Sequence, residues 1–333
     1  MIGISLFGAG RIGRMHGRNL HRHEAFDLRH VVDVHAPAAA EVAGAAGARV
    51  ATVDQALDDP EVRAVLIASS TDTHADLIER AARAGKAIFC EKPIDLDMAR
   101  VEACLKVVEE AGVPLMVGFN RRFDSNFRML RQLVDDGRIG AVEIVAITSR
   151  DPGPPGPDYI KVSGGLFRDM MIHDFDMARF LLDEEPLEVS ATGSALVDPA
   201  IGELGDIDTA LVTLRTGSGR LCQIQCSRRA TYGYDQRIEI HGSRSAARAE
   251  NVRQHTVEVL DRDGFHGALP PHFFIERYAA AYLAELDHFA DCLRTGRHPS
   301  PSGEDGRRAL ALADAALQSM KGATMVCLDS TSP

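Results

Sequence analysis

The first 120 residues alternate short apolar runs with segments of helical pattern. Strand, helix and strand repeated in this way predict parallel strands joined by right-handed crossovers. Such doubly wound sheets bind ligands at the carboxyl ends of their strands. The strands are predicted at Ile2–Phe7, Leu28–Val34, Ala64–Ser69, Ala87–Cys90 and Leu115–Val117. The helices between them are predicted at Arg11–Arg22, Pro37–Ala45, Thr73–Ala84 and Asp97–Ala111.

The pattern changes after Asn120. A run of strand candidates with short turns predicts a mostly antiparallel sheet with helices on one face. The strands are predicted at Val142–Ser149, Leu187–Leu196, Thr209–Thr213, Leu221–Cys226, Arg237–His241 and Val257–Leu260. The helices are predicted at Phe123–Asp136, Asp169–Leu182, Phe274–Arg294 and Gly303–Ser319. The expected fold class is therefore α/β, with an N-terminal domain over residues 1–121 and a C-terminal α+β domain over residues 122–333.

Length and composition narrow the class of protein further. A chain of 333 residues that is 45% hydrophobic and 26% charged is typical of a soluble protein with two domains. A formal net charge of -11 argues against a nucleic-acid partner. We find neither a run of about 20 apolar residues nor a signal peptide, so we expect no membrane partner and a cytoplasmic location. The six cysteines lack Cys-x-x-Cys spacing, which predicts reduced, buried thiols without disulfides or a zinc site.

A dinucleotide site is predicted where the first strand meets the first helix. In Gly8-Ala9-Gly10-Arg11-Ile12-Gly13, the glycines allow a tight turn, close approach to a pyrophosphate and tight helix packing, although a purely structural glycine turn is the alternative. The helix N-terminus offers unpaired N–H groups to the phosphates. Asp33 lies 20 residues beyond Gly13, where a carboxylate can accept hydrogen bonds from ribose hydroxyls.

Asp33 also bears on the choice of cofactor. Its carboxylate would repel a 2′-phosphate, and the following Val34 and His35 supply no arginine to receive one. NAD is therefore predicted over NADP, with His35 leaving modest room for dual use.

Polar residues at the ends of later strands extend this predicted cofactor site. Ser69, Ser70 and Thr71 close the third strand and are expected on the nicotinamide-ribose side, although Thr71 and Thr73 could equally cap a helix. His74 starts that helix, and a structural or capping role is favoured over a catalytic one. The candidate cofactor-binding residues are Gly8, Gly10, Arg11, Ile12, Gly13, Asp33, Val34, Ser69, Ser70, Thr71, His74, Glu91 and Lys92.

Glu91-Lys92-Pro93 directly follows a predicted strand, at the edge of the sheet where ligands bind. The ammonium group of Lys92 could hydrogen-bond a reacting hydroxyl and stabilise developing alkoxide character. The alternative is a solvated lysine that forms a loop ion pair with Glu91.

Asp169 and His173 lie four positions apart, so they share one face of the predicted helix. A neutral imidazole suits a general base that removes an alcohol proton, and Asp169 could orient it or bind a neighbouring hydroxyl. A helix-face salt bridge is one alternative. A metal pair, with oxygen ligands from Asp174 and Asp176, is another, but two ligands are too few and no metal is predicted. Together these motifs indicate an NAD-dependent dehydrogenase of a polyhydroxylated ring.

The motifs resemble those of the Gfo/Idh/MocA oxidoreductases over essentially the whole chain. Ser70 stands where many members of that family carry proline. The matching segments are Phe7–Gly13, Thr71–Asp76, Gly85–Pro93, Gly118–Asp124, Gly164–Asp169 with His173, Tyr232–Asp235 and Phe274–Tyr278.

The resemblance implies a Rossmann domain followed by a domain with a large open sheet, usually assembled as a homotetramer. It implies that Lys92, Asp169 and His173 are the catalytic residues. The implied reaction oxidises one ring hydroxyl of myo-inositol to 2-keto-myo-inositol and reduces NAD⁺. His173 would take the hydroxyl proton, while Lys92 and Asp169 would position the alcohol.

Further substrate-binding candidates are Arg122, Tyr234 and Tyr278, for which a surface cation and two core-edge tyrosines are the alternatives. The catalytic residues do not distinguish myo-inositol from scyllo- or chiro-inositol or from an aldose such as glucose. The loop Asp151–Gly165, close to Asp169 in sequence, is expected to help make that choice. A regulator that binds cofactor without chemistry is a weaker alternative, because both Lys92 and His173 are present.

Overall fold

The apolar runs of the N-terminal part form a six-stranded parallel sheet in the computed structural model, which describes residues 1–328. The strands are β1 (Ile2–Phe7), β2 (Phe26–Val32), β3 (Arg49–Val50), β4 (Ala64–Ile67), β5 (Ala87–Glu91) and β6 (Leu115–Gly118). Their order is β3-β2-β1-β4-β5-β6, the order of a sheet that binds dinucleotides where the strand order reverses, between β1 and β4. The predicted doubly wound sheet is confirmed, and β3 is too short to give a sequence signal.

Helices connect these strands close to the predicted positions. They are α1 (Arg11–Arg22), α2 (Ala36–Ala46), α3 (Val53–Asp58), α4 (His74–Arg83) and α5 (Met98–Ala111), with 3₁₀ turns at Thr71–Thr73 and Asn120–Phe123. The short helix α3, which the sequence analysis did not predict, begins with a capping box. Thr52 accepts a hydrogen bond from the Gln55 N–H, and the Gln55 side chain accepts one from the Thr52 N–H.

The remaining described strands are β7 (Val142–Arg150), β8 (Pro186–Ser194), β9 (Thr209–Thr216), β10 (Leu221–Ser227), β11 (Asp235–Gly242), β12 (Ala246–Ala249), β13 (Glu258–Asp261), β14 (Gly264–Gly267) and β15 (Val326–Cys327). Within residues 1–328 they form a seven-stranded sheet in the order β12-β11-β7-β10-β9-β8-β15, and β13 pairs with β14 as a hairpin. Among its described neighbours only β7 and β10 are parallel. The predicted mostly antiparallel sheet is therefore confirmed.

The later helices are α6 (Ser125–Asp135), α7 (Pro157–Ile160), α8 (Gly165–Asp169), α9 (Ile172–Leu182), α10 (Pro199–Glu203), α11 (Phe274–Arg277), α12 (Ala279–Thr295) and α13 (Gly303–Gly322). The predicted helix Phe274–Arg294 is interrupted at Tyr278, so its prediction as one helix is wrong. Helix α9 packs against β7 and β10 on one face of the sheet. Ile144 on β7, Leu211 on β9 and Leu221 on β10 have exposed side chains.

Contacts divide the chain into two units. The first contains residues 1–123 and also 280–310, which the sequence division at residue 121 assigned to the second domain. Phe289, on α12, explains this grouping because its ring packs on Phe89 and Phe26, with centroids 5.8 and 6.3 Å apart. The second unit contains residues 124–279 and the described residues from 311 onward.

Two further features of the described residues bear on the expectations. None of the helices within residues 1–328 has the length and apolar character needed to cross a membrane. All six cysteines are free thiols, as predicted, but Cys327 is exposed on β15. The prediction that every thiol is buried is wrong at this position, because β15 is a two-residue edge strand of the second sheet.

Candidate active site

The glycine loop joins β1 to α1 and is shaped by close contacts between backbone segments. Gly8 has φ +101°, and a Cβ there would lie 2.4 Å from the Ala68 carbonyl oxygen. A Cβ on Gly13 would lie 2.0 Å from the Gly8 carbonyl oxygen. A side chain on Gly10, by contrast, would meet no described atom within 4 Å. No described part of the protein therefore requires glycine at position 10. The glycine leaves space free before the α1 N-terminus, and this space suits a pyrophosphate.

Asp33 follows β2 directly and connects its turn to the glycine loop. Its Oδ2 accepts a hydrogen bond of 2.6 Å from the Ala9 N–H, and its Oδ1 accepts one of 2.7 Å from the His35 N–H. Each carboxylate oxygen keeps a second lone pair, which could accept a hydrogen bond from a ribose hydroxyl. Val34 is fully exposed beside it, while Arg11 and Ile12 form the first turn of α1.

The predicted nicotinamide-ribose segment is held by hydroxyl contacts. Thr71 begins the 3₁₀ turn after β4, and the Oγ atoms of Ser69 and Thr73 lie 2.7 Å apart. The Thr73 hydroxyl donates to the Ser70 carbonyl oxygen at 2.8 Å rather than capping α4. Hydrogen bonding within the segment therefore takes the place of the capping role considered for Thr73.

His74 is buried at the start of α4. Its Nδ1 lies 2.7 Å from the Pro93 carbonyl oxygen, and its Nε2 lies 3.1 Å from the Ser69 carbonyl oxygen. Burial lowers the pKa of His74, although both carbonyl contacts oppose that shift. These backbone partners favour the structural role predicted for His74.

Lys92 lies at the carboxyl end of β5, half-buried, and joins Pro93 through a cis peptide bond. The preceding Glu91 directs its carboxylate to a buried histidine of the same unit. His16 Nε2 lies 2.7 Å from Glu91 Oε1, and the His16 ring packs edge-on against Phe89 and Tyr282. The Glu91 carboxylate is thus held by a buried side chain of the first unit.

Sequence reasoning missed His16, although its spacing gives a signal. The residue lies three positions after Gly13 and four before Leu20, and all three are buried on one face of α1. A polar side chain on such a face needs a buried partner, which here is Glu91.

Glu285 is a second missed residue with the same kind of signal. It lies on α12 between Tyr282 and Phe289, three and four positions away, so these side chains share one face. Glu285 is fully buried, and neither of its carboxyl oxygens meets a hydrogen-bond partner among the described residues. Burial, together with the negative charge of Glu91, raises the pKa of Glu285 well above its ordinary value. Burial therefore favours the neutral form of Glu285.

Asp169 and His173 do not share one continuous helix, so the predicted helix Asp169–Leu182 is wrong at its start. Asp169 ends α8, and His173 is the second residue of α9. The Leu166 carbonyl oxygen accepts from both the Met170 and Met171 N–H groups, at 3.1 and 3.0 Å. This shift from the regular pattern of bonds four residues back interrupts the helix. It buries both methionines while Asp169 and His173 remain half-buried.

The carboxylate of Asp169 is held from two sides. The Tyr159 hydroxyl donates to Oδ1 at 2.8 Å, and Arg228 Nη2 donates to Oδ2 at 3.2 Å. The Arg228 side chain is only 1% exposed. Burial lowers the pKa of Arg228, but the carboxylates of Asp169, Asp151 and Asp206 together outweigh burial and raise it. The guanidinium therefore stays charged and fixes the orientation of Asp169.

Asp174 and Asp176, the oxygen ligands considered for a metal, are fully buried in α9. Asp176 Oδ1 lies 3.6 Å from Arg179 Nη1. Nowhere in the described part of the chain do three or more His, Cys, Asp or Glu side chains form a group suited to a metal ion.

Of the remaining substrate candidates, Tyr234 and Tyr278 are buried and Arg122 is half-buried. Arg122 Nη2 donates to Asp305 Oδ1 at 2.9 Å with only 9% of its side chain exposed, so the surface-cation alternative for Arg122 is wrong. Tyr234 and Tyr278 pack edge-to-face with ring centroids 5.9 Å apart, and the Arg277 guanidinium lies 4.8 Å from the Tyr278 ring centroid. Their burial fits core tyrosines. Arg122 and Lys92 belong to the first unit, whereas Asp169, His173 and both tyrosines belong to the second.

Two family models match the chain. Residues 2–119 match the model described as "Oxidoreductase family, NAD-binding Rossmann fold", and residues 127–248 match the "GFO/IDH/MocA C-terminal domain". The chain belongs to the GFO/IDH/MocA oxidoreductase family. Its first unit therefore contains the NAD-binding domain of an oxidoreductase, and the predicted cofactor is confirmed.

Relatives are similar to the chain over nearly its full length. An inositol 2-dehydrogenase of Rhizobium meliloti is 55% identical over 95% of this chain and 96% of its own length. A myo-inositol 2-dehydrogenase of Thermotoga maritima is 47% identical over 98% of each chain.

Solved structures extend the similarity to the fold. A myo-inositol dehydrogenase from Corynebacterium glutamicum has a TM-score of 0.96 and 42% identity, over 99% of this chain and 100% of its own. A scyllo-inositol dehydrogenase from Lactobacillus casei, solved with NAD(H) and scyllo-inositol, has a TM-score of 0.91 and 28% identity over 98% of this chain and 99% of its own.

Proposed function

We propose that this chain oxidises myo-inositol to 2-keto-myo-inositol with NAD⁺ as the oxidant. The observation that carries the proposal is the end-to-end similarity to an inositol 2-dehydrogenase, at 55% identity over 95% of this chain. The glycine loop and Asp33 fit the pyrophosphate and ribose of NAD. Lys92, Asp169 and His173 supply a cation, a carboxylate and an imidazole, the groups that alcohol oxidation needs.

In this proposal the three catalytic residues have different roles. His173 takes the hydroxyl proton as general base, which a neutral imidazole can do near neutral pH. Lys92 donates a hydrogen bond to the same oxygen and stabilises its developing negative charge. Asp169, held by Arg228 and Tyr159, accepts a hydrogen bond from the imidazole or from a neighbouring ring hydroxyl. NAD⁺, when bound, accepts the hydride of the carbinol carbon.

The choice among ring stereoisomers is assigned to the loop Asp151–Gly165, with Arg122, Tyr234 and Tyr278 as further substrate-binding residues. The contact of Tyr159 with Asp169 supports a role for this loop, because it connects the loop directly to a catalytic carboxylate. Oxidation of scyllo-inositol is the second candidate, favoured by the similarity to the Lactobacillus casei enzyme.

We also propose a cytoplasmic homotetramer. The exposed apolar residues Ile144, Leu211 and Leu221 of the second sheet support burial of that surface against a second copy. Light scattering on the purified chain measures the mass. A mass of four chains supports the proposal, and a monomeric mass contradicts it.

The reaction is tested by following NAD⁺ reduction with myo-, scyllo- and chiro-inositol, glucose and xylose, each repeated with NADP⁺. Myo-inositol with NAD⁺ should give the highest kcat/KM. A higher value with another polyol would replace the substrate but keep the reaction class. An absence of turnover with all five, in a protein that still binds NADH, would contradict the proposed activity.

Asp33→Ala tests the cofactor assignment separately. The variant should raise the KM for NAD⁺ and reduce the preference for NAD⁺ over NADP⁺, because the carboxylate no longer binds ribose or repels a 2′-phosphate. Its kcat with myo-inositol should change little. An unaltered cofactor preference would contradict the role of Asp33.

A further inference from the structure

The two residues that flank Lys92 are each bonded to a buried histidine. His16 Nε2 lies 2.7 Å from the carboxylate of Glu91, and His74 Nδ1 lies 2.7 Å from the carbonyl oxygen of Pro93. His16 is 0% and His74 2% exposed. All five residues belong to the first unit, so the turn that carries Lys92 is held from both sides within one compact unit.

His16 restrains the turn through its hydrogen bond to Glu91, whose side chain has little freedom to move. The Glu91 carboxylate lies over Gly118, where a Cβ would approach Oε2 to 2.9 Å. It is thus confined between β6 and His16. A carboxylate accepts, so His16 Nε2 is the donor, and Nδ1 meets no partner among the described residues. His16 Nε2 therefore donates the hydrogen bond to Glu91.

His74 restrains the other side through the backbone. A carbonyl oxygen only accepts, so Nδ1 must donate to Pro93. The longer contact, 3.1 Å, joins Nε2 to the Ser69 carbonyl oxygen. Because burial lowers the pKa of His74, the ring carries one proton near neutral pH, and the shorter bond places it on Nδ1.

We propose that His16 and His74 are positioning residues that fix Lys92 by holding Glu91 and Pro93. The inference rests on the proposed function, which gives Lys92 its role toward the alcohol. The two histidines also connect the Lys92 turn to the predicted cofactor site. His16 lies on the helix that begins at the glycine loop, and His74 Nε2 lies 3.1 Å from the Ser69 carbonyl oxygen in the predicted nicotinamide-ribose segment.

The two histidines bond to the turn through different ring nitrogens, so asparagine and glutamine should have opposite effects at the two positions. The amide nitrogen of glutamine lies near the place of a histidine Nε2, and that of asparagine lies near the place of Nδ1. His16→Gln and His74→Asn should therefore keep the hydrogen bonds to Glu91 and Pro93. His16→Asn and His74→Gln should lose them, although all four variants introduce an amide into the same buried sites.

The matched control is His30, a third buried histidine of the first unit. It contacts Ser5 and Asp59, neither of which belongs to the Lys92 turn. His30→Asn and His30→Gln report the general effect of burying an amide in this unit. NADH binding, followed by fluorescence, shows which variants keep a folded cofactor domain.

Two readouts separate this inference from the proposed reaction. Amide hydrogen exchange of residues 88–95, measured on the protein without substrate, reports how firmly the turn is held. The kcat for inositol oxidation reports the position of Lys92. His16→Asn and His74→Gln should exchange faster in this segment and lower kcat about tenfold, the size of effect expected from one lost positioning hydrogen bond. The KM for NAD⁺ should change far less than kcat.

The inference is supported if His16→Asn and His74→Gln speed exchange while His16→Gln, His74→Asn and both His30 variants behave like the wild type. This result would hold even if inositol is not the substrate. The same pattern in kcat would show that the two hydrogen bonds also support catalysis. Equal behaviour of asparagine and glutamine at both positions would overturn the inference. Faster exchange with unchanged kcat in an active enzyme would also overturn it, because the turn would then be loosened without displacing a catalytic group.

Discussion

The turn that carries Lys92 and the segment that carries Asp169 and His173 are held by different chemistry. In the first unit, buried histidines hold the flanks of Lys92, and burial raises the pKa of the nearby acid Glu285. In the second unit, a buried guanidinium holds the carboxylate of Asp169. The first region contains two groups whose pKa burial shifts, His74 downward and Glu285 upward, so pH should affect it. The second depends on a charge that arginine does not lose, so substitution should affect it more than pH.

The largest stability effect is expected from Arg228→Met, which removes the buried cation. Asp169 would remain mostly buried without its charged partner, and Asp151 and Asp206 would lose an attraction that now raises the pKa of Arg228. Breaking a buried ion pair from one side costs about 3–5 kcal/mol. Urea unfolding measures the loss.

Arg229→Met is the matched control, because Arg229 is exposed beside Arg228. It should change the unfolding free energy by less than about 0.5 kcal/mol. Equal effects of the two variants would show that Arg228 does not act through its buried ion pair.

The next effect concerns Glu285→Gln in the first unit and should depend on pH. Below the ordinary glutamate pKa of 4.5, Glu285 is protonated in both folded and unfolded chains. Above it the unfolded chain ionises while the folded one stays neutral, so the wild-type unfolding free energy falls by about 1.4 kcal/mol per pH unit. This loss continues until the raised folded-state pKa is reached. Glutamine does not titrate, so the variant should gain stability relative to wild type as pH rises.

Thermal unfolding from pH 5 to pH 8 measures this difference. Glu102→Gln, at an exposed position on α5, is the control and should show no such trend. A difference between Glu285→Gln and wild type that stays constant with pH would mean that Glu285 ionises in the folded chain.

The smallest effect is expected from Tyr159→Phe, which removes one hydroxyl from an exposed residue. Its hydrogen bond to Asp169 is worth about 1 kcal/mol, so kcat/KM for inositol should fall about fivefold. A double-mutant cycle with Asp169→Asn isolates the contact. Additive effects of the two substitutions on kcat/KM would remove Tyr159 from the support of Asp169.

The first unit was the more predictable from sequence. Helix α1 has the predicted bounds, and Lys92 follows a strand as expected, because parallel strands read as apolar runs bounded by helices. The segment before His173 was less predictable. A helical period continues through Met170 and Met171, and only the hydrogen bonds of the Leu166 carbonyl show where the helix breaks.

Pairings between residues far apart in the sequence could not be predicted either. Arg228 lies 59 residues from Asp169, and His16 lies 75 residues from Glu91. Neither pairing leaves a local pattern beyond a polar residue where burial is expected. The same holds for residues 280–310, which return to the first unit through the packing of Phe289 on Phe89.

We proposed that His173 is the general base of an NAD-dependent inositol dehydrogenase, and the variant His173→Ala tests that role. Its kcat and its Kd for NADH are measured on the same preparation, with His272→Ala, an exposed histidine of the second unit, as control. We predict that kcat falls about 10²- to 10⁴-fold, that the Kd for NADH stays within about threefold, and that the residual rate rises with pH as hydroxide replaces the base. Unchanged turnover in His173→Ala would show that His173 is not the general base.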